Sequence, residues 1–298
     1  MNIGQFNARG PDNGIEHWFD LIHDELIKQG HNVRQFWFRG NQPSKKDIEW
    51  MDFALYHFSQ VGLYCRRLGV PFCVLPSAND FFPDKGERLR MATNHRDCKF
   101  VTYQSAYHNQ KYDEWDIPKP KVYVPMPVRT ELFKRTKDIP NGENIIAGGR
   151  LIHKKGLDRI MHLKHLTIFG EGPLINHLRL MNMNVKFTGY LNGEELRDLM
   201  DEAWIFLHPA IETPDGDREG ISNLVKEALL MRLQVICSPV GGLPELENVM
   251  LFDDWDNIEE CIKTVPKQPN YKGEKEIRHL YNPTTCVNML LRGIEEYA

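Results

Sequence analysis

Ile145-Ile146-Ala147-Gly148-Gly149-Arg150-Leu151 is a short apolar run that stops at two glycines and a cation, with Lys154-Lys155-Gly156 close behind. An apolar run of this length bounded by glycine reads as a strand buried on both faces. Five similar runs follow it: Leu166–Phe169, Val185–Thr188, Ile205–His208, Val235–Cys237 and Val249–Phe252. Helical spacing fills the intervals near 156–164, 173–181, 193–202, 222–232, 244–247 and 256–264. Strands and helices alternating at this spacing argue a parallel, doubly wound sheet.

The preceding half of the chain repeats the pattern. Met1–Phe6 reads as a strand and Arg9–Gly14 as a turn. Ile15, Trp18, Phe19, Ile22 and Leu26 then recur at helical spacing until Gly30. Val33–Phe38, Phe53–Tyr56, Pro71–Leu75, Lys99–Tyr103 and Val122–Val124 are further strand candidates, with a helix at 60–69. Residues 134–144 are polar, with Pro140-Asn141-Gly142 inside them, and read as a linker. The chain of 298 residues therefore divides into a domain at 1–138 and another at 139–298, with Thr284–Tyr297 as a last helix able to pack back on the first. Two such α/β domains leave a cleft between them, and ligands bind at strand carboxyl ends.

Composition narrows the classes. Apolar and aromatic residues make up 41% and charged residues 26%, as in a protein with a sizeable core. No apolar run approaches the roughly 18–20 residues of a membrane span, and Met1–Phe6 lacks the basic and apolar parts of a signal peptide. A cytoplasmic location without integral membrane association is expected. Cys65, Cys73, Cys98, Cys237, Cys261 and Cys286 show no ligand spacing, so reduced, mostly buried thiols are expected and a zinc site is not. The net charge of −4 hides a slightly basic first half and an acidic second half.

The chemistry concentrates after residue 145. Gly148-Gly149-Arg150 with Lys154-Lys155-Gly156 lets backbone approach a ligand beside phosphate-gripping cations, although a strand-ending turn with exposed cations has the same look. Phe169-Gly170-Glu171-Gly172-Pro173 is a second such turn. Ile175 stands where a dinucleotide fingerprint needs its third glycine, so a nicotinamide enzyme is not supported. In Glu219-Gly220-Ile221-Ser222-Asn223-Leu224-Val225-Lys226-Glu227, Ser222 is a candidate N-cap between two carboxylates. Free amides at that helix start suit a phosphate, and Glu227 could accept from two vicinal sugar hydroxyls.

These motifs, with Gly241-Gly242-Leu243-Pro244-Glu245 at the next strand end, resemble the retaining, nucleotide-sugar-dependent glycosyltransferases of the GT-B fold. That is the glycosyl transferases group 1 class, which includes glycogen and sucrose synthases, and the chain resembles a compact, phage- or virus-like version. Phe187-Thr188-Gly189-Tyr190, His208-Pro209 and Asp215–Gly220 fall in the family's order. Gly14-Ile15-Glu16-His17, Gly30–Val33, Val124–Val128 and Glu131-Leu132-Phe133 resemble its first domain more loosely. Asn13 replaces a usual glycine, and Pro76–Asp80 lacks the family's His.

The resemblance implies an α/β fold of two Rossmann-like domains and transfer of a sugar from a nucleoside-diphosphate donor, UDP by default. Arg150 and Lys155 would neutralise the diphosphate, and Glu219 would bind sugar hydroxyls beside the reacting carbon, these three being the catalytic candidates. Glu227 would hold the ribose. Gly14, Gly149, Gly170, Tyr190, Ile221, Ser222, Asn223 and Leu224 would complete the donor site. No metal or other cofactor is expected, because Asp215-Gly216-Asp217 and Asp254-Trp255-Asp256 lie in acidic loops where such pairs arise by chance. His17 and His57 read as structural or acceptor-facing.

A saccharide or lipid-linked saccharide is the expected acceptor. The alternative is hydroxymethylated DNA, met by Lys85, Arg88, Arg90, Arg96 and Lys99 near Phe81, Phe82 and His95, although Asp84, Glu87 and Asp97 offset that charge. A non-catalytic nucleotide-sugar binder is the remaining alternative.

Overall fold

Among the described residues, twelve short strands account for the apolar runs of the sequence. The computed structural model describes residues 1–7, 17–37, 40–58, 61–62, 66–76, 85–138 and 144–298. The chain forms two units, one of Met1–Val128 with Leu280–Ala298 and the other of Arg129–His279.

In the first unit β1 (Asn2–Asn7), β2 (Asn32–Trp37), β3 (Phe53–His57), β4 (Phe72–Leu75), β5 (Cys98–Tyr103) and β6 (Lys121–Tyr123) form one sheet. Its order is β2-β1-β3-β4-β5-β6, and every pairing is parallel. All residues of β3 and β4 are buried, whereas the edge strand β2 alternates. Central strands of a parallel sheet are covered on both faces, so they are continuous apolar runs. Helix α1 (His17–Lys28) buries Trp18, Phe19, Ile22 and Leu26, and Gly30 follows it with φ of +87°. The smaller helices are α2 (Lys45–Trp50), α3 (Lys85–Thr93) and α4 (Ala106–Glu114).

The second unit is built on β7 (Ile145–Gly148), β8 (Leu166–Phe169), β9 (Lys186–Phe187), β10 (Ile205–His208), β11 (Gln234–Cys237) and β12 (Met250–Leu251). Their order is β12-β11-β10-β7-β8-β9, again wholly parallel. The helices are α5 (Ile175–Met181), α6 (Gly193–Asp201), α7 (Asn223–Leu230), α8 (Ile258–Thr264) and α9 (Tyr271–Leu280). The final helix α10 (Pro283–Tyr297) belongs to the first unit, where Val287, Leu290 and Ile294 pack with Ile3, Trp18, Ile22, Phe53 and Phe100. Asn282 caps it by accepting from the Thr285 amide.

Several elements depart from the periodicity. The helix expected at 156–164 is two 3-10 turns, His153–Lys155 and Leu157–Ile160, broken at Gly156. The segment expected at 244–247 is likewise one 3-10 turn, Leu243–Glu245. Of the helix expected at 60–69, the described part includes a 3-10 turn at Arg66–Leu68. Helices α2 and α9 carry too few apolar residues to be read from periodicity. α9 is held by Ile277, by Glu274 paired with Arg232 and Arg278, and by Gly273 lying against Leu229.

The polar stretch expected to link the domains is tied down at its start. The Arg135 guanidinium donates to the carbonyls of Met231 and Asp201, both at 3.0 Å, and to those of Met200 and Ala203 at longer range. Thr136 donates from its amide and hydroxyl to the buried Asp201 carboxylate. These bonds place residues 129–138 with the second unit, so the division lies at 128/129 instead of 138/139. Hydrogen bonds to a charged group contribute about 1.5–3 kcal/mol. Arg135→Ala is expected to destabilise the protein by about that amount in urea denaturation, and Arg135→Lys to recover only part, because an ammonium cannot span several carbonyls as the planar fork does.

Candidate functional site

The strand order of the second unit reverses between β7 and β10, and a doubly wound sheet opens its ligand crevice at strand carboxyl ends beside such a reversal. β7 ends there at Gly148 and β10 at His208. The turns after β7 and β8 touch: a Cβ on Gly170, whose φ is +100°, would lie 1.9 Å from the Gly149 carbonyl oxygen. The Gly170 amide donates to the Gly189 carbonyl at 2.7 Å, which brings in the turn after β9 and its Tyr190, 66% exposed.

Glu219 lies buried beside His208 at the end of β10. Lys155 Nζ is 3.1 Å from its Oε2 and Lys154 Nζ 3.7 Å from its Oε1, while Lys154 also donates to Asp217 at 3.2 Å. Both lysines are buried, so their charges require these partners. Burial works against ionisation of Glu219, but Lys155, His208 and Lys154 outweigh it and hold the carboxyl down at about 2. His208 Nε2 is 4.0 Å from Glu219, and burial together with Lys155 lowers that imidazole to about 3. His208 is therefore neutral at neutral pH, and the two lysines supply the compensating charge. Gly241 closes the other side: its φ is +62°, and a Cβ there would meet the Glu219 carbonyl oxygen at 1.7 Å.

Helix α7 begins three residues beyond Gly220, at Asn223. Ser222 occupies its N-cap position as expected, but makes no side-chain capping bond. The amides at this start are thus not satisfied by their cap, the condition under which a helix end accepts an anion. Ile221, Asn223 and Leu224 are half-buried around it, and Leu224 and Lys155 are the side chains facing Gly149. Glu227, in the second turn, is engaged by Arg129, whose Nη2 donates to its Oε1 at 2.9 Å. Burial raises the Glu227 carboxyl above its ordinary value, against the pull of Arg129 and Lys226. Arg129 also lies over the Phe133 ring at 5.0 Å.

The other expected residues are distributed as follows. Arg150 is exposed beside Gly149, with no ion-pair partner among the described residues. Gly14, Phe81 and Phe82 lie outside the described residues. His57 is buried between Trp18 and Phe19, 3.2 Å from the Gln5 amide nitrogen, and burial lowers it to about 3, as for a packed neutral imidazole. Asp215 accepts from the Thr213 hydroxyl and Asp217 from Lys154, so these two carboxylates serve different partners. In the basic cluster, Arg96 and His95 both face Asp97. Cys73, Cys98, Cys237 and Cys286 are buried and outside any disulfide, and burial pushes the Cys98 and Cys237 thiols up to about 12.

Residues 145–266, the part of the chain that carries this crevice, match the family model described as Glycosyl transferases group 1. They form a glycosyl transferases group 1 domain. The amylovoran biosynthesis glycosyltransferase AmsK of Erwinia amylovora is 36% identical over 118 residues, 34% of this chain and 29% of that protein. The GDP-mannose-dependent alpha-mannosyltransferase of Corynebacterium glutamicum is 32% identical over 116 residues, 37% of this chain and 27% of that protein. The chain thus spans under a third of the length of these curated relatives. Over the whole chain, the fold matches sucrose-phosphate synthase of Thermosynechococcus elongatus with a TM-score of 0.79 at 15% identity, covering 99% and 98% of the two chains. It matches Anabaena HepE in complex with UDP with a TM-score of 0.77 at 15% identity, covering 99% and 100%. The fold is therefore GT-B: two parallel six-stranded sheets with flanking helices.

In the second unit, Arg129, Lys154 and His208 join the expected residues at the site, Arg129 from outside the matched residues 145–266. Lys154 and His208 have a signal in the sequence, Lys154 in the loop Lys154-Lys155-Gly156 and His208 at a strand end in the pair His208-Pro209. Arg129 has none, because it lies far from Glu227 in sequence. Glu219 generates a pH prediction. Its folded value of about 2 lies below the ordinary 4.5, so its contribution to stability is present above about 4.5 and is lost as pH falls toward 2. Urea midpoints from pH 7 to 2.5 should fall less steeply on the acid side in Glu219→Gln than in the wild type. The variant should also start lower at pH 7, where Lys155 and Lys154 lose their partner. Parallel acid limbs would contradict the assignment.

Proposed function

We propose that the protein is a metal-independent, retaining glycosyltransferase that takes a nucleoside-diphosphate sugar, UDP-linked by preference, and delivers the sugar to a hydroxyl of a saccharide or lipid-linked saccharide. The observation that carries this reading is the buried, ionised Glu219 held by Lys155 and Lys154 beside the uncapped start of α7 and the exposed Arg150.

A diphosphate leaving group gains negative charge as its bond to the sugar breaks. Arg150 and the α7 amides are the groups with donors available to meet that charge, and Lys155 adds to them from below. These fixed positive groups do the work that a divalent cation would do. The Glu219 carboxylate, ionised at any physiological pH, accepts from sugar hydroxyls next to the reacting carbon and keeps Lys155 aimed. Leaving group and incoming hydroxyl use one face of the sugar, through an oxocarbenium-like state. On the nucleoside side, Glu227 accepts from the ribose hydroxyls while Arg129 retains its other contact. Tyr190 and Gly170 stand where the base and diphosphate pass.

Support for UDP comes from the nucleotide in the HepE complex. The mannosyltransferase relative acts on a GDP-linked sugar, so guanosine donors belong in the same test. A saccharide acceptor draws support from the relatives named for amylovoran and colanic acid biosynthesis.

Thermal stability and donor turnover against UDP-, GDP- and ADP-sugars test the proposal. A donor at about 100 times its Kd should stabilise the protein by roughly 2.7 kcal/mol, equally with and without EDTA. Arg150→Ala and Lys155→Ala should each lower kcat/KM by about 10²- to 10³-fold. Donor-dependent stabilisation without any turnover across a saccharide acceptor panel would leave a nucleotide-sugar binder. Absence of any shift would overturn the donor site.

A further inference from the structure

The sheet edge of the second unit at β9 carries a surface that the donor site does not use. Leu180 is 81% exposed, Met181 47% and Met183 89%, three large apolar side chains within four residues. They stand at the end of α5 and on the turn that follows it. That turn is ordered: Asn182 donates from its side chain to the Met161 carbonyl at 2.7 Å and accepts from the Asn184 amide at 3.0 Å, so Met183 is held outward.

The sequence around these side chains is mainly cationic, between Asp158 on one side and Glu194-Glu195 on the other. From Arg159 to Gly193 the only carboxylate is Glu171, whereas the stretch carries Arg159, Lys164, Arg179 and Lys186 with His162, His165 and His177. Lys164, Arg179 and Lys186 are exposed, and none has a carboxylate partner among the described residues. Arg179 lies over the Phe187 ring of β9 at 5.6 Å. Acidic residues outnumber basic ones over residues 139–298 as a whole, so this cationic rim runs against its own surroundings.

We propose that the α5–β9 edge is a docking surface for a membrane bearing anionic lipids, with Leu180, Met181 and Met183 entering the interface and Lys164, Arg179 and Lys186 meeting head groups. Apolar tips rimmed by unpaired cations are the pattern of interfacial attachment. The attachment proposed is a peripheral one, made by these side chains at the lipid surface; among the described residues no helix is long and apolar enough to cross a membrane. The surface is independent of the donor reading, and its test does not use activity.

Co-sedimentation of the full chain with phosphatidylglycerol/phosphatidylcholine vesicles, against pure phosphatidylcholine vesicles, measures the attachment. Binding to the anionic vesicles alone, weakening as salt rises, is the expected result. Each neutralised cation should cost about fivefold in affinity, so Arg179→Gln with Lys186→Gln should bind about 25-fold more weakly. Leu180→Ser with Met183→Ser should also lose binding. Unchanged melting temperatures establish that these exposed substitutions leave the fold intact, and the salt titration of the wild type stands without them. No binding to anionic vesicles, equal binding to neutral ones, or unchanged binding by both variants would overturn the proposal. So would light scattering that shows a dimer dissolved by the Leu180/Met183 variant, since a second copy would then occupy the surface.

Discussion

The second unit is organised around one buried carboxylate. Glu219 reaches Lys155 and Lys154, Lys154 reaches Asp217, and His208 stands within 4.0 Å. Three separate segments meet in that cluster: the loop after β7, the end of β10 and the run before α7. Removing charges from water is costly, and a packed apolar group would often serve stability as well. What the ionic cluster supplies is direction, because each lysine is bound by specific oxygens. Gly241 matters for the same reason, since only a residue without a side chain permits the loop after β11 to press on the Glu219 backbone.

A second set of contacts decides where the units divide. Arg135 and Thr136 bind backbone and carboxylate groups of the second unit, and Arg129 binds Glu227. A stretch that is polar in composition is therefore structural at its start. At the other end of the chain, α10 places Val287, Leu290 and Ile294 in the core of the first unit. The first unit is consequently completed by a segment remote from the rest of its sequence, whereas the second is one continuous run.

The twelve strands were legible because a parallel sheet covered on both faces demands short, continuous apolar runs, and Ile145–Gly148 and Ile205–His208 are such runs. Helices with one apolar stripe, such as α1 and α10, were legible for a related reason. The helices α2 and α9 were not, since capping and ion pairs hold them where periodicity is weak. The expected helix at 156–164 failed at Gly156, whose backbone packs against the Pro209 carbonyl, a contact invisible in the local pattern.

For the candidate site, the order of motifs along the chain determined which loops would meet, because strand order in a doubly wound sheet sends successive carboxyl ends to one edge. Arg150, Lys155, Glu219 and Glu227 could be named from that order together with the resemblance of the motifs to the glycosyl transferases group 1 class. Tertiary structure decided their partners and charge states. It set Lys154 and Lys155 against Glu219, left Arg150 exposed and gave Glu227 to Arg129. Burial and opposite charge act through space, between residues as far apart in the chain as 129 and 227. A linear sequence shows which groups are present, and only the fold brings the low dielectric and the counter-charges to bear on them.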